Sequence, residues 1–179
     1  RIDGALAGQV KKGKLEDKVR IETVSRITPI QRFAQLGNAQ LVIEAAIEDV
    51  NIKSEIFRQA QAVISEDAIL ASNTSSIPIT KLAAATRHPE RFIGLHFMNP
   101  PPLMRLVEII RGLQTSDETA EQARSVTEKL GKVIVSASDM PGFIVNRMLI
   151  PFLNEACFAL QEGLGTPEDI DMGAKLGLN

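Results

Sequence analysis

Residues 41–76 read LVIEAAIEDVNIKSEIFRQAQAVISEDAILASNTSS. LVIEAA (41–46) is an apolar run of strand length with β-branched residues. Asp49 or Asn51 can cap a following helix. Within that helix Ile52, Ile56, Phe57, Ala60, Val63 and Ile64 fall on one face. AILAS (68–72) is a second short apolar run, and SNTSS (72–76) is a polar turn. A strand, a helix and a strand closing on a polar turn is the repeating unit of a parallel sheet.

The pattern continues outward. A short helix is expected over Pro78–Thr86, and FIGLHF (92–97) and LVEII (106–110) are two further strands. The three prolines between them, Pro100, Pro101 and Pro102, forbid helix and hold the connection extended or turned. Asp117–Leu130 is an amphipathic helix ended by Gly131, and KVIVSA (132–137) is a last strand. Upstream, residues 1–24 are charged and helical with a break at Gly13, and Ser25–Ile30 is expected to be a short strand. Together these elements predict an α/β domain with a mostly parallel sheet. After DMPG (139–142) the character changes. FIVNRMLIPFLNEACFALQEG (143–163) is one long helix with Pro151 as a kink, and Thr166-Pro167 starts another. The domain boundary is expected near Ser138, separating 1–138 from a helical part, 139–179.

The bulk numbers exclude several classes. A formal charge of −2 over 179 residues gives no case for nucleic acid or a membrane surface. One cysteine, Cys157, rules out an internal disulfide framework and suits a reducing compartment, so the chain is expected in the cytoplasm. With two histidines besides, no zinc site is expected. No apolar run spans a bilayer, and RIDGALAGQVKKGKLEDK lacks a signal core. Both ends look cut, so a fragment of a longer protein is expected.

Ligands of open α/β sheets sit outside the carboxyl ends of the strands, and the unusual polar residues gather there. Glu48 follows the first strand of the quoted stretch; Asn73, Thr74, Ser75 and Ser76 follow the second. His96 ends the third, with Asn99 beyond it. His96 is a candidate general base, and Glu108 a candidate to orient its ring. The competing reading is a core histidine bonded to a carbonyl and a solvent-facing glutamate. Asn146 shares a helix face with Ile150, Leu153 and Cys157, while Arg147, Asn154 and Gln161 form a polar stripe, so Asn146 is expected to point inward. Its alternative is an amide satisfied by backbone at the helix start. Ser75, His96 and Glu108 also make a possible nucleophile set, but no GxSxG elbow surrounds Ser75. Lys11, Lys12 and Lys14 are either a solvated helix end or a phosphate site.

LVIEAAIEDVNIKSEIF, ILASNTSSIPIT, IGLHFMNPPPLMRLVEII and PGFIVNRMLIPFLNEA closely resemble the L-3-hydroxyacyl-CoA dehydrogenases, especially the 3-hydroxybutyryl-CoA type. The likeness runs over essentially the whole chain. It implies a Rossmann-like sheet followed by the start of an all-α domain, an acyl-CoA substrate, NAD as cofactor with NADP left open, and a homodimer in the full-length protein. It further implies that His96 is the base, paired with Glu108. Ser75 would contact the substrate 3-oxygen and the nicotinamide end, and Asn146 would hold the substrate and the dyad. Ala45, Glu48, Lys53, Asn73, Ser75 and Asn99 would be cofactor-binding positions, and the cluster around Lys12 would meet the 3′-phosphate of CoA.

Two departures stand beside the likeness. The family opens with a strand and a GxGxxG turn that binds pyrophosphate, followed by an acidic residue for the ribose; the chain has neither. It also stops at LGLN, short of the family's later helices. The expected activity is reversible oxidation of an L-3-hydroxyacyl-CoA, with these 179 residues alone inactive. The alternatives are a Ser75 hydrolase or thioesterase, a sugar-acid dehydrogenase of the same fold, and a non-catalytic binding protein.

Overall fold

The computed structural model describes residues 2–178, which divide into two compact units. The first runs up to Gln35. It holds α1 (Ile2–Lys11) and α2 (Asp17–Ser25), with Gly13 at φ +66° between them, as its lack of a Cβ allows. Arg20 pairs with Asp3 and Asp17. The strand expected at Ser25–Ile30 does not form. Ser25 is still helical, and the N–H groups of Arg26 and Ile27 are spent on Thr23 and Val24 at the helix end. Ile27 and Ile30 are exposed.

The second unit, Leu36 onward, is built on five strands. In chain order they are β1 (Leu41–Glu44), β2 (Ile69–Ser72), β3 (Phe92–Phe97), β4 (Leu106–Arg111) and β5 (Val133–Ser138), and they lie side by side in that same order. Every pairing is parallel except β3 with β4, which is antiparallel. The helices are α3 (Val50–Gln61), α4 (Ile79–Ala83), α5 (Asp117–Lys129), α6 (Val145–Gln161) and α7 (Pro167–Gly177). Asp49 caps α3, accepting from the N–H groups of Asn51 and Ile52. Ser116 and Thr166 cap α5 and α7 in the same way.

Alternate residues of the strands serve two faces. Ile69, Ala71, Ile93, Leu95 and Ile109 pack with Ala123 of α5. Leu70, Phe92 and Ile110 are buried on the alternate positions, where Phe57 of α3 meets Phe92 edge-on at 4.7 Å. Gly94 is required here: a Cβ would lie 2.8 Å from Ile79 of α4 and 2.9 Å from Ile110. The inward face of α3 differs from expectation. Ile52 is exposed, and Lys53 is buried in line with Phe57 and Ala60. α6 runs through Pro151 without interruption, and none of its residues is buried. Ile150, Leu153 and Cys157, expected on an inward face, are exposed.

Candidate active site

The antiparallel β3–β4 pair sets His96 directly opposite Glu108. Cross-strand neighbours have Cβ atoms about 5 Å apart on one face, within reach of a hydrogen bond between two such side chains. His96 Nδ1 lies 2.7 Å from Glu108 Oε2. A carboxylate only accepts, so Nδ1 donates, and in a neutral imidazole held this way the lone pair falls on Nε2. The other oxygen, Oε1, accepts from the N–H groups of Ile144 (2.9 Å) and Val145 (3.0 Å) at the start of α6. Glu108 is wholly buried, and all its contacts are donors. Phe143, just before α6, packs edge-on against the imidazole with centroids 5.5 Å apart. It holds φ +48°, uncommon for a residue with a Cβ, and is buried.

His96 is only 7 % exposed. Among the described residues the only enclosed polar side-chain atom without a partner is Arg91 Nε. Nε2 of His96 makes no hydrogen bond among the described residues and is not among the enclosed unpartnered atoms, so it still reaches solvent. The strands therefore present a buried, oriented ring with one open basic atom. The reading of His96 and Glu108 as unconnected core and surface residues is excluded by this geometry.

A second polar cluster stands at the carboxyl ends of β1 and β2. Their last residues, Glu44 and Ser72, are register partners. Glu44 is buried and accepts from Lys53 Nζ at 2.8 and 3.0 Å, from Ser72 Oγ at 2.7 Å and from the Ala46 N–H at 2.5 Å. Lys53 Nζ also lies 3.3 Å from Glu48 Oε2. The remaining Glu48 oxygen accepts from the Thr74 hydroxyl, from the N–H groups of Ser75 and Ser76 (both 3.1 Å) and from the Ser76 hydroxyl (2.9 Å). Burial by itself raises the Glu48 pKa. Hydrogen bonds from Thr74 and Ser76 and the charge of Lys53 outweigh it and bring the group from 4.5 to about 2. Asn73 carries the network to β3, its Oδ1 accepting from the Phe97 N–H at 2.8 Å.

The expected site residues thus fall into distinct places. His96 and Glu108 form one pair. Glu48, Lys53, Asn73 and Ser75 belong to the strand-end network, with Ala45 exposed in the loop beside it. Lys53 is 1 % exposed and holds Glu44 and Glu48. Asn99 is exposed beyond β3, before a cis proline. Asn146, expected inward and bonded, is half-buried and makes no side-chain hydrogen bond among the described residues. The first turn of α6 faces Glu108 with backbone N–H groups, and these take the bonds. Lys12 is exposed in the first unit. Ser75 makes no hydrogen bond to His96; its N–H goes to Glu48 instead, so the Ser75/His96/Glu108 hydrolase relay has no support.

Four contributors were not anticipated: Glu44, Asp139, Phe143 and the Ile144–Val145 amides. Asp139 accepts from the N–H groups of Ile79 and Thr80 and from the Thr80 hydroxyl, anchoring α4 to the end of β5. For Glu44 a signal was present: a charge closing the apolar run LVIE, followed by a lysine spaced with Phe57 and Ala60. For backbone amides no side-chain signal exists.

A dinucleotide fits part of this surface. The strand-end ledge of hydroxyls and ordered amides suits a ribose and a carboxamide, whereas no glycine-rich pyrophosphate turn occurs in the sequence. Residues 1–140 match the family model described as 3-hydroxyacyl-CoA dehydrogenase, NAD binding domain, and residues 142–179 match the C-terminal domain of the same family. The chain is 49 % identical to 3-hydroxybutyryl-CoA dehydrogenase of Bradyrhizobium diazoefficiens, over 98 % of this chain and 60 % of that protein. It is 45 % identical to the probable 3-hydroxybutyryl-CoA dehydrogenase of Bacillus subtilis, over 100 % and 62 %. The crystal structure of (S)-3-hydroxybutyryl-CoA dehydrogenase from Ralstonia eutropha superposes with a TM-score of 0.95 at 46 % identity, over 98 % of this chain and 62 % of that one. The chain thus spans about three fifths of the length of these relatives.

Proposed function

The chain belongs to the 3-hydroxyacyl-CoA dehydrogenase family, and from that premise we propose that it carries the proton-transfer site for interconverting an L-3-hydroxyacyl-CoA and its 3-ketoacyl-CoA. The names of the relatives, 3-hydroxybutyryl-CoA dehydrogenases, support a four-carbon acyl group, in fatty acid or butanoate metabolism. The observation that carries the reading is the buried His96–Glu108 pair with Nε2 left open.

In the oxidative direction Nε2 removes the proton of the 3-hydroxyl. The positive charge that develops on the ring is met by Glu108, whose carboxylate is already aimed at Nδ1 and fixed from behind by two amides. The acceptor need not reorganise as the charge appears, the condition under which electrostatic stabilisation is most effective. NAD, when bound, supplies the acceptor for the hydride from C3. Glu48, Asn73, Ser75, Ala45 and Asn99 would hold its nicotinamide half along the strand ends, with Lys53 behind them. Ser75 and Asn146 would hold the substrate oxygen in line, and the lysines around Lys12 would meet the CoA phosphate. Residues 1–138 form the cofactor-binding part in this reading, and 139–179 begin a helical substrate and dimerisation part. The apolar exposed side chains of α6 support a homodimer at full length. A cytoplasmic enzyme is supported by its single exposed thiol.

The test is made on the protein at the full length of its relatives. NADH formation from L-3-hydroxybutyryl-CoA, lowered by about 10²–10⁴ in His96→Gln with CoA-ester binding retained, is the expected result. Turnover near that of wild type in this variant would remove His96 from the mechanism.

A further inference from the structure

Glu44 is a fully buried carboxylate that the proton transfer does not use. Resting on the cofactor reading above, we propose that Glu44 is a positioning residue for the cofactor ledge, acting through Lys53 and Glu48 on the backbone of Ser75 and Ser76.

The ladder between β1 and β2 ends at the Glu44–Ser72 pair. Beyond it the chains separate into two loops, 45–48 and 73–76. What joins these loops is the relay of side chains. Ser72 fixes Glu44; Glu44 fixes Lys53 and the Ala46 N–H; Lys53 holds one oxygen of Glu48; the other oxygen gathers Thr74, Ser75 and Ser76. The loops are therefore set by ionic contacts where the sheet no longer sets them.

Stability alone is a weak reason for this arrangement. A buried ion pair gains little over well-packed apolar groups, because both charges must leave water. The location is specific instead: the carboxyl ends of neighbouring parallel strands, where open α/β sheets bind ligands. The charge count is also uneven. Two carboxylates share one ammonium, so Lys53 divides its attraction between a buried partner and Glu48, whose side chain is 37 % exposed. Removing the Glu44 charge leaves Glu48 as the sole counter-charge of Lys53. Glu48 is then drawn inward, and the amides of Ser75 and Ser76 lose their acceptor. The ledge shifts, while the His96–Glu108 pair, held by other bonds, does not.

The experiment compares wild type, Glu44→Gln and Glu44→Gln/Lys53→Met, all at the full length of the relatives. NAD affinity is measured by calorimetry, kcat at saturating cofactor, and folding by thermal unfolding. Glu44→Gln is expected to weaken NAD binding about tenfold or more, the scale of one lost charged hydrogen bond. Its kcat should fall far less than that of His96→Gln: Ser75 on the shifted ledge also positions the substrate oxygen, but the His96–Glu108 pair is untouched. The double variant, with neither charge buried, should recover thermal stability without recovering affinity. Affinity within twofold of wild type in either folded variant would overturn the proposal, as would a collapse of kcat at unchanged affinity. Should Glu44→Gln not fold, the double variant alone decides. Wild type that binds no NAD overturns the cofactor reading and this inference with it. Wild type that binds NAD but does not oxidise hydroxyacyl-CoA overturns the substrate assignment and leaves this inference standing on the binding data.

Discussion

Glu108 and Glu44 are both buried carboxylates on strands, and each accepts from a basic side chain and from backbone N–H. They differ in what the basic partner has left over. Lys53, beyond Glu44, spends its ammonium on two carboxylates and a carbonyl. His96, beyond Glu108, uses one ring nitrogen and keeps the other open. A closed network can only hold shape, whereas a network with one open basic atom can exchange a proton. The separation of work between the two clusters follows from that count of free atoms.

The comparison breaks most sharply at His96. His96→Gln should lower turnover by about 10²–10⁴, the range for a positioned acid–base group, with little change in CoA-ester binding. Stopped-flow NADH formation measures it. Next comes Lys53→Met, which strands Glu44 in the interior. Unfolding by urea should reveal a loss of about 3–5 kcal/mol, the usual cost of removing one partner of a buried pair. A loss below 1 kcal/mol would mean that the closed network is not a pair in solution. Glu108→Gln is milder. The glutamine amide must turn its NH₂ toward either the Nδ1–H or the two helix amides, donor against donor. That costs on the order of 1–3 kcal/mol, or roughly 10–100-fold in turnover if borne in the transition state. Wild-type turnover in this variant would sever Glu108 from the base.

The smallest effect is at Glu48. Its folded pKa of about 2 lies below the ordinary 4.5. A depressed carboxylate contributes stability that is present above the ordinary value and lost as pH falls toward the folded one. Wild type should therefore lose stability between pH 4.5 and about 2 more steeply than Glu48→Gln. Parallel acid titrations of the two would show no difference if Thr74, Ser76 and Lys53 do not hold the Glu48 carboxylate in solution.

Much of this was legible beforehand, for reasons that separate the residues. The capped α3 and the strands around it were readable because apolar spacing and capping are local. The His96–Glu108 pair was readable as a candidate through its position in two apolar runs. That the two strands are antiparallel, which makes the residues opposite partners, was not readable, since pairing direction lies in tertiary structure. The burial of Lys53 was hidden for a different reason. A lysine in an apolar stripe looks like a surface residue until its carboxylates are known. The face of α6 at Ile150, Leu153 and Cys157 was taken to be covered and is exposed, and the donors that serve Glu108 are main-chain groups that leave no trace in the sequence.

The contact from Glu108 to the start of α6 bears on how members of such a family can be recombined. A crossover between residues 139 and 144 joins the sheet of one parent to the helix of another. The joining donors are the Ile144 and Val145 amides, so the identity of the incoming helix is of little account. The length of the junction is decisive. One residue added or removed there turns the first helical turn by about 100° and swings both amides off the carboxylate. Chimeras spliced at equal length keep an oriented base; those out by a single residue carry the same side chains and lose it.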